Sequence, residues 1–479
     1  MTIALKGLDG GTRQIAESTA DALARGLKGS LVRIGEPGYE EARTVWNGMI
    51  DRRPGLVVRA AAASDVVATV DFAREHGVLM SIRGGGHQIG GLAVADGALM
   101  LDLSAMRSIE VDPGMRTARV GPGATLAELD AATQAHGLAV PVGINSTTGI
   151  AGLTLGGGFG WITRKFGLTV DNLRAAEVVT ADGTLRRASA EQNPELFWAL
   201  KGGGGNFGVV TSFDFRLHPV GPEVVSGLLI HPIEAAPEIL REFRRICAEA
   251  PDELTTWAVV RKAPPAPFIP EAWHGNGILV LATCYAGSVE DGERAVAALR
   301  ALGEPIVDLV GPKPFAAWQQ ALDPLLAPGA RNYWKSHDFV ELSDAAIGVI
   351  LDAAGRLPDP QTEIAIAHLG GAMARVASDA TPFPQRKAHF TMNVHARWDD
   401  PGKDMACIGW ARALFDAAAP HSAGSVYVNF IPADEPDRLV AAYGGNLERL
   451  RRAKAMYDAD NLFRCNHNIR PTALAHAAE

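Results

Sequence analysis

Cysteine is scarce in this chain: four among 479 residues, Cys247, Cys284, Cys407 and Cys465, widely separated and without metal-ligand spacing. That pattern excludes a disulfide framework and a zinc module, and the four read as reduced buried thiols of a cytoplasmic protein. No metal site is expected. A run of about 18 apolar residues is missing, so nothing is expected to span a membrane. The opening residues, Met1-Thr2-Ile3-Ala4-Leu5-Lys6-Gly7, lack the basic and long apolar regions of a secretory signal. Basic blocks are missing too, and the net charge of −9 argues against a nucleic-acid partner. With no repeat and no low-complexity tract, the 47% hydrophobic and 21% charged residues describe a soluble globular chain.

The length calls for two or three domains. Glycine is abundant, 52 residues, and its dense clusters at 84–97, 143–160 and 202–208 all fall in the first half, which marks that half as the cofactor-binding part. A strand is expected at 55–60, then a helix that Ser64 caps and Gly77 ends, then a strand running into the glycines. Strands at 98–103 and 116–120 follow, a helix opened by the capping box Thr125-Leu126-Ala127-Glu128, and a hairpin over 176–189 turning at Asp182-Gly183. A strand at 209–217 closes this part at His218-Pro219. Beyond it, helices at 234–249, 288–302 and 343–356 are interspersed with strands at 254–261, 277–285, 333–342, 362–376 and 388–398. That is the pattern of an antiparallel sheet covered by helices on one face. From Ser425 the chain reads as a strand at 426–430, a helix at 447–457 and a polar closing loop. The fold class is α+β, with domains at 1–222 and 223–424 and a returning segment at 425–479. The Pro-rich patch 263–270 reads as a mobile or substrate-rim loop.

The run Ser81-Ile82-Arg83-Gly84-Gly85-Gly86-His87-Gln88 carries the most chemistry. Three consecutive glycines strip side chains from a turn, so successive backbone N–H groups can converge on a pyrophosphate. His87 then stands beside whatever that pyrophosphate carries, which suggests a tightly held, even covalently attached, nucleotide cofactor. A second glycine-rich loop, Pro141 to Gly160, has strand signals on its flanks, and the two together favour a dinucleotide lying between them. Neither has the Gly-x-Gly-x-x-Gly spacing between a first strand and helix, which argues against a nicotinamide-binding Rossmann domain. A third cluster, Lys201 to Thr211, also precedes a strand.

Arg83-Gly-Gly-Gly-His87, the 143–160 loop with Arg164-Lys165-Phe166-Gly167-Leu168, and Gly202 to Val210 are followed by Val426–Phe430, Tyr443-Gly444 and Asp460–Ile469. This collinear series, from about Trp46 to Pro471, resembles the berberine-bridge-enzyme-like flavoprotein oxidases of the vanillyl-alcohol oxidase / p-cresol methylhydroxylase superfamily. The resemblance implies a two-part FAD-binding domain of the p-cresol methylhydroxylase type and an FAD whose 8α-methyl is bonded to the ring of His87. It implies cofactor contacts at Ile82, Arg83, Gly84, Gly85, Gly86, His87 and Gln88, and at Gly143, Asn145, Ser146, Thr148, Gly149, Gly152, Gly158 and Gly160. Val209, Val210, Tyr427, Asn429, Asn466 and Asn468 complete that set. Many members carry a second link, to a cysteine of the 143–160 loop. Asn145 occupies that position and no cysteine lies between His87 and Cys247, so a single covalent bond is expected. Thr148 falls where the family lines the flavin's oxygen-facing side, and a small residue there suits an oxidase.

The activity so implied is oxidation of an alcohol or amine carbon of a small organic molecule, with O₂ reduced to H₂O₂. A dehydrogenase, a biosynthetic oxygenating or cyclising enzyme, and a flavin-carrying binding protein without turnover are the alternatives. Substrate and O₂ are the expected partners, and a homo-oligomer is left open. Hydride removal needs a base for the O–H or N–H proton. Tyr427 matches the tyrosine that relatives project toward the flavin, and Asn429 shares its face on the expected strand. A phenol with an ordinary pKa near 10 needs a cation or relay to act at neutral pH. The family's helpers are partly replaced, a loop tyrosine by Phe166 and a lysine by Thr391. His389, Thr391, Asn393 and His395 share one strand face, so either histidine stands as helper or alternative; Lys335 and His337 are further alternatives. Trp257, Trp334 and Trp398 read as core residues, one of them a candidate for the pocket wall. Sugar, polyketide, alkaloid and aromatic alcohol all remain open as substrates.

Overall fold

Leu56–Arg59, Leu99–Asp102 and Met80–Arg83 run parallel, with Ser30–Arg33 antiparallel on the outer edge. Leu56, Val57, Val58, Leu99, Met100 and Leu101 are fully buried, as continuous apolar runs covered on both faces should be. The computed structural model describes residues 1–472. Ala63–His76 is the crossover helix, its Val66, Val70 and Ala73 packed on Leu99 and Leu101. Gly77 ends it with φ +58°, as expected. Ser64 is not its cap. The helix starts at Ala63 after Ala62, and the neighbouring Asp65 carboxylate accepts the N–H groups of Lys28, Gly29 and Ala61. The acid is the stronger acceptor, and it binds a second segment to the helix start.

The second sheet is antiparallel, in the order Leu185–Ser189, Leu173–Val179, Val209–Arg216, Thr117–Val120, Ile109–Asp112. Beside it the Leu126–Gln134 helix opens with the expected reciprocal cap between Thr125 and Glu128.

The third sheet is the largest. Val307–Asp308, Glu223–Pro232, Gly277–Tyr285, Leu254–Lys262, Glu363–His368, Phe390–Trp398 and Arg331–Phe339 follow one another, every pair antiparallel. Ala236–Glu249, Val289–Arg300, Asp344–Ala354 and Asp404–Ala418 pack on one face through Phe243, Val296, Ile347 and Leu414. The period of two along each strand sends Trp257, Ala282, Cys284 and Ala367 to the other face, where they meet Phe159, Trp161 and Tyr427 of the first half and the returning segment.

Three expectations are corrected. The strand expected at 362–376 ends at His368; the chain turns at Gly370–Gly371 into a short 3-10 helix, Gly371–Arg375, and Arg164 donates to the Leu254 and Leu369 carbonyls where the two halves meet. The segment 426–430 is not a strand but an extended Tyr427 followed by a 3-10 turn, Val428–Phe430. Its apolar run is explained by burial, and the Val426 carbonyl is satisfied by the Gln385 side chain instead of a neighbouring strand. The Pro-rich patch contributes no residue to the lining of the cleft described below and is anchored, with Ala263 and Ile269 packed on Ile230, Ile278 and Val280 beside Val259. Leu447–Tyr457 is helical as expected, and its buried Lys454 ammonium donates to the Asn206 and Phe463 carbonyls, pinning the closing loop. Residues 473–479 of the expected 425–479 segment lie outside the described residues. No helix among the described residues is long and apolar enough to cross a membrane.

Candidate active site

Between the glycine loops and the face of the large sheet opposite its four long helices lies a deep cleft. It holds about 2040 Å³ free of protein atoms, open solvent at the mouth included. The first two glycine loops meet backbone to backbone: a Cβ on Gly85 would fall 2.4 Å from the Gly149 nitrogen, and one on Gly149 2.4 Å from that of Gly85. Only glycine permits this approach.

Of the residues expected to hold the cofactor, Ile82, Gly84 through Gln88, Gly143, Asn145, Thr148, Gly149, Gly152, Val209, Val210, Tyr427, Asn429 and Asn466 all line this one cleft. Arg83, Ser146, Gly158, Gly160 and Asn468 do not. Strand alternation turns Arg83 away, and its guanidinium donates to the Ala42 carbonyl at 2.8 Å. Ser146 is held by the Asp323 carboxylate through its N–H and its hydroxyl. Gly158 and Gly160 stand behind the wall, donating to the Tyr427 and Thr163 hydroxyls. The third glycine cluster contributes Gly204, Gly205, Asn206 and Gly208 as well, which its strand-flanked composition could have signalled.

His87 stacks on Trp46 at 4.6 Å with the rings 23° apart, and the Arg397 guanidinium lies over the same indole. The His87 Nε2 lies 3.2 Å from Thr147 Oγ1, whose hydroxyl donates to Asn145 Oδ1 at 2.7 Å; the Thr147 N–H donates to the same oxygen. With its proton committed to Asn145, the Thr147 oxygen accepts from Nε2–H, which leaves the lone pair on Nδ1. The ring borders the cleft and is enclosed by protein elsewhere. Burial, with a smaller contribution from Arg397, pushes its pKa down to about 3, so the imidazole is neutral.

Tyr427 is buried, ringed by Phe159, Phe383 and Phe430 at centroid distances of 4.9, 6.0 and 5.0 Å. Its hydroxyl oxygen accepts from the Gly158 N–H at 3.0 Å and from Asn429 Nδ2 at 2.7 Å. Asn429 reaches back across the turn to do so, and the absent side chain of Gly156 makes room: a Cβ there would sit 2.2 Å from Asn429 Oδ1. Burial raises the phenol pKa to about 12 against the two donors, and the O–H proton is left for the cleft.

The sheet supplies the facing wall. Thr391, Asn393 and His395 line it, whereas His389 precedes the Phe390–Trp398 strand and is exposed, bonded through its N–H to Phe339. Lys335 and His337 point to the opposite face, Lys335 to Glu435 at 2.7 Å and His337 to the Phe415 carbonyl at 2.9 Å. Trp257 and Trp334 line the cleft, and Trp398 is core. Sequence reasoning missed Trp46, Glu363 and His467. Glu363 had one signal: it shares a strand parity with Ala365 and Ala367, the cleft-facing positions. Burial acts against its charge, but Arg261, His395 and Arg397 hold the carboxyl down at about 2.

Family comparison follows the same geography. An FAD binding domain matches residues 54–189, and a domain described as berberine and berberine like matches residues 426–470. The uncharacterised FAD-linked oxidoreductase YgaK of Bacillus subtilis is 32% identical over 457 residues, 93% of this chain and 97% of that one. (R)-6-hydroxynicotine oxidase of Paenarthrobacter nicotinovorans is 28% identical over 464 residues, 93% of this chain and 97% of that one. The crystal structure of 6-hydroxy-D-nicotine oxidase from Arthrobacter nicotinovorans matches with a TM-score of 0.83 at 26% identity, covering 93% of this chain and 98% of that chain. The cleft fits FAD by its own chemistry: the side-chain-free contact of Gly85 with Gly149 opens a backbone cradle, and the buried Asn466 Oδ1 on the cleft wall has no partner among the described residues. From its glycine loops to its closing segment, the chain belongs to the berberine-bridge-enzyme-like FAD-linked oxidoreductases, on the p-cresol methylhydroxylase type of fold.

Proposed function

We propose that the protein is an oxidase that removes a hydride from an alcohol or amine carbon of a small organic molecule, with its flavin bonded once, to His87. When bound, FAD supplies the hydride acceptor and, through O₂, the route of the electrons to H₂O₂. One arrangement carries the reading: a neutral imidazole with a free Nδ1 at the glycine cradle, and a buried phenol held between two donors in the same cleft. The free lone pair makes His87 Nδ1 the atom of attachment. Asn145, standing where relatives have a cysteine, serves His87 through Thr147 and offers no sulfur of its own.

Tyr427 presents its O–H to the cleft and positions the substrate heteroatom. The Tyr427 proton first leaves to solvent water through the open mouth of the cleft, the donors from Gly158 and Asn429 stabilising the phenolate, which then takes the substrate's O–H or N–H proton as the hydride leaves. The relative named for oxidising 6-hydroxynicotine supports the amine arm of the proposal.

Stopped-flow reoxidation tests the oxidase assignment. Reduced enzyme should react with O₂ far faster than free flavin; a rate no faster would leave a dehydrogenase or a biosynthetic oxygenating or cyclising enzyme on the same scaffold. A broad panel of alcohols, amines and sugars that never bleaches the flavin anaerobically would indicate a flavin carrier.

A further inference from the structure

We propose that the substrate half of the cleft is built for a flat aromatic compound and not for a sugar, with Trp257 and Trp334 as edge donors and Asn393 as the central polar contact. This deepens, and rests on, the oxidase reading of the same site.

On the cleft-facing side of the large sheet, cross-strand partners form three rows: Trp257, Ala367 and Thr391; then Val259, Ala365 and Asn393; then Arg261, Glu363, His395 and Trp334. The two alanines lower the floor between an indole at each end. Phe159, Tyr427 and Phe430 face this floor, with Phe430 edge-on to Trp334 at 5.5 Å and Phe159 tilted against Trp257 at 6.0 Å. The result is a slot between ring faces and methyl groups.

Its polar atoms are few, and their state is informative. Trp257 Nε1, Trp334 Nε1 and Asn393 Oδ1 are buried with no partner among the described residues, although all three residues line the cleft. Buried donors and acceptors without partners are rare, and here all three belong to residues of the cleft wall. The remaining polar groups of the wall are already engaged. Arg261 holds Glu363 at 2.7 Å, Glu363 holds His395 Nδ1 at 3.2 Å, and His395 Nε2 lies 3.0 Å from Asn332 Oδ1. Thr391 donates to Asp338 at 2.7 Å. The charged row therefore closes one end of the slot without offering itself to a ligand.

A sugar presents a hydroxyl at nearly every ring carbon, and against Ala365, Ala367 and the aromatic faces most would lose their water without replacement. An aromatic ring fills the same slot by face and edge contacts, while ring oxygens or nitrogens accept from the two indoles and a hydroxyl or amine donates to Asn393.

The test uses the flavin-loaded enzyme and three probes: naphthalene-2-carboxamide, which cannot be oxidised by hydride loss, 2-naphthalenemethanol, and the sugars glucose and cellobiose. The amide should shift the flavin spectrum saturably, and the naphthyl alcohol should bleach the flavin anaerobically while both sugars leave it unchanged. Ala365→Leu should weaken amide binding at least tenfold with flavin content unchanged. Trp257→Phe and Trp334→Phe, which keep a ring and delete the N–H, should weaken the amide and leave binding of plain naphthalene as it was; they carry the test if the alanine variant does not fold. Amide binding without bleaching by any probe would remove the oxidase reading and leave the aromatic slot standing. Bleaching by glucose or cellobiose without binding of the naphthyl probes, or wild-type amide affinity in all three variants, would overturn the proposal.

Discussion

Thr147 Oγ1 lies 3.2 Å from His87 Nε2 while its own proton goes to Asn145. A residue two positions from the place of the family's cysteine thus fixes which ring nitrogen of His87 is unprotonated.

The proposed covalent attachment depends on that hold. Acid-precipitated wild-type protein should stay yellow, and His87→Ala should release its flavin into the supernatant. Thr147→Val, nearly isosteric without the hydroxyl, should lower the covalent fraction while FAD still binds. Peptide mapping should find one flavinylated peptide, containing His87, and none containing Asn145; a white wild-type pellet would refute the linkage.

Tyr427→Phe removes the proton-carrying atom and keeps the ring packing. The rate of anaerobic flavin reduction should fall by about 10² to 10⁴, the usual contribution of general acid–base catalysis, with flavin content unchanged. Asn429→Ala deletes one donor to the same oxygen and should slow reduction by roughly five- to tenfold, from a bond contributing about 1 kcal/mol. Equal rates for wild type and the phenylalanine variant would remove Tyr427 from the reaction.

Arg386 and Asp171 form a bidentate buried pair, with N···O distances of 2.7 and 2.8 Å. It joins the turn after Gly167 to the segment carrying Phe383, which packs on Tyr427. Arg386→Ala leaves the carboxylate buried and unpaired, and should lower unfolding free energy in urea by roughly 3–5 kcal/mol.

Acid should destabilise the fold before it titrates surface carboxylates. Burial lowers the pKa of His218 and His467 to about 4, so below pH 6.5 the unfolded chain binds protons that the folded one refuses. Stability contributed by the neutral imidazoles is present above the unfolded pKa and is lost as pH falls toward those folded values. Asp130, raised by burial to about 7, acts in the opposite sense and is outnumbered. Tm should therefore drop between pH 7 and pH 5, and His218→Gln should lessen the drop; a flat profile across that window would contradict the assignment.

The near neighbours of correct expectations show where sequence reading stops. Ile82 and Gly84 line the cleft and Arg83 between them does not, because a strand sends successive side chains to opposite faces. The same parity takes Lys335 and His337 away from Trp334. Tyr427 and Asn429 are brought together, but by a 3-10 turn and a hydrogen bond and not by strand alternation. Trp46 lies in an irregular segment that gave no signal, and the parity of Glu363 with Ala365 and Ala367 places it in the site only once the order of the strands is known.

The glycine loops, His87 and the α+β class were set by local sequence, since close backbone approach and phosphate-sized turns demand particular residues at particular spacings. Tertiary structure alone decided the hold of Asn145 and Thr147 on His87, and the rows that bring Trp257, Asn393 and Trp334 to one wall. Those depend on loop closure and on sheet order across more than a hundred residues, and contacts made at such separations leave no periodicity to read.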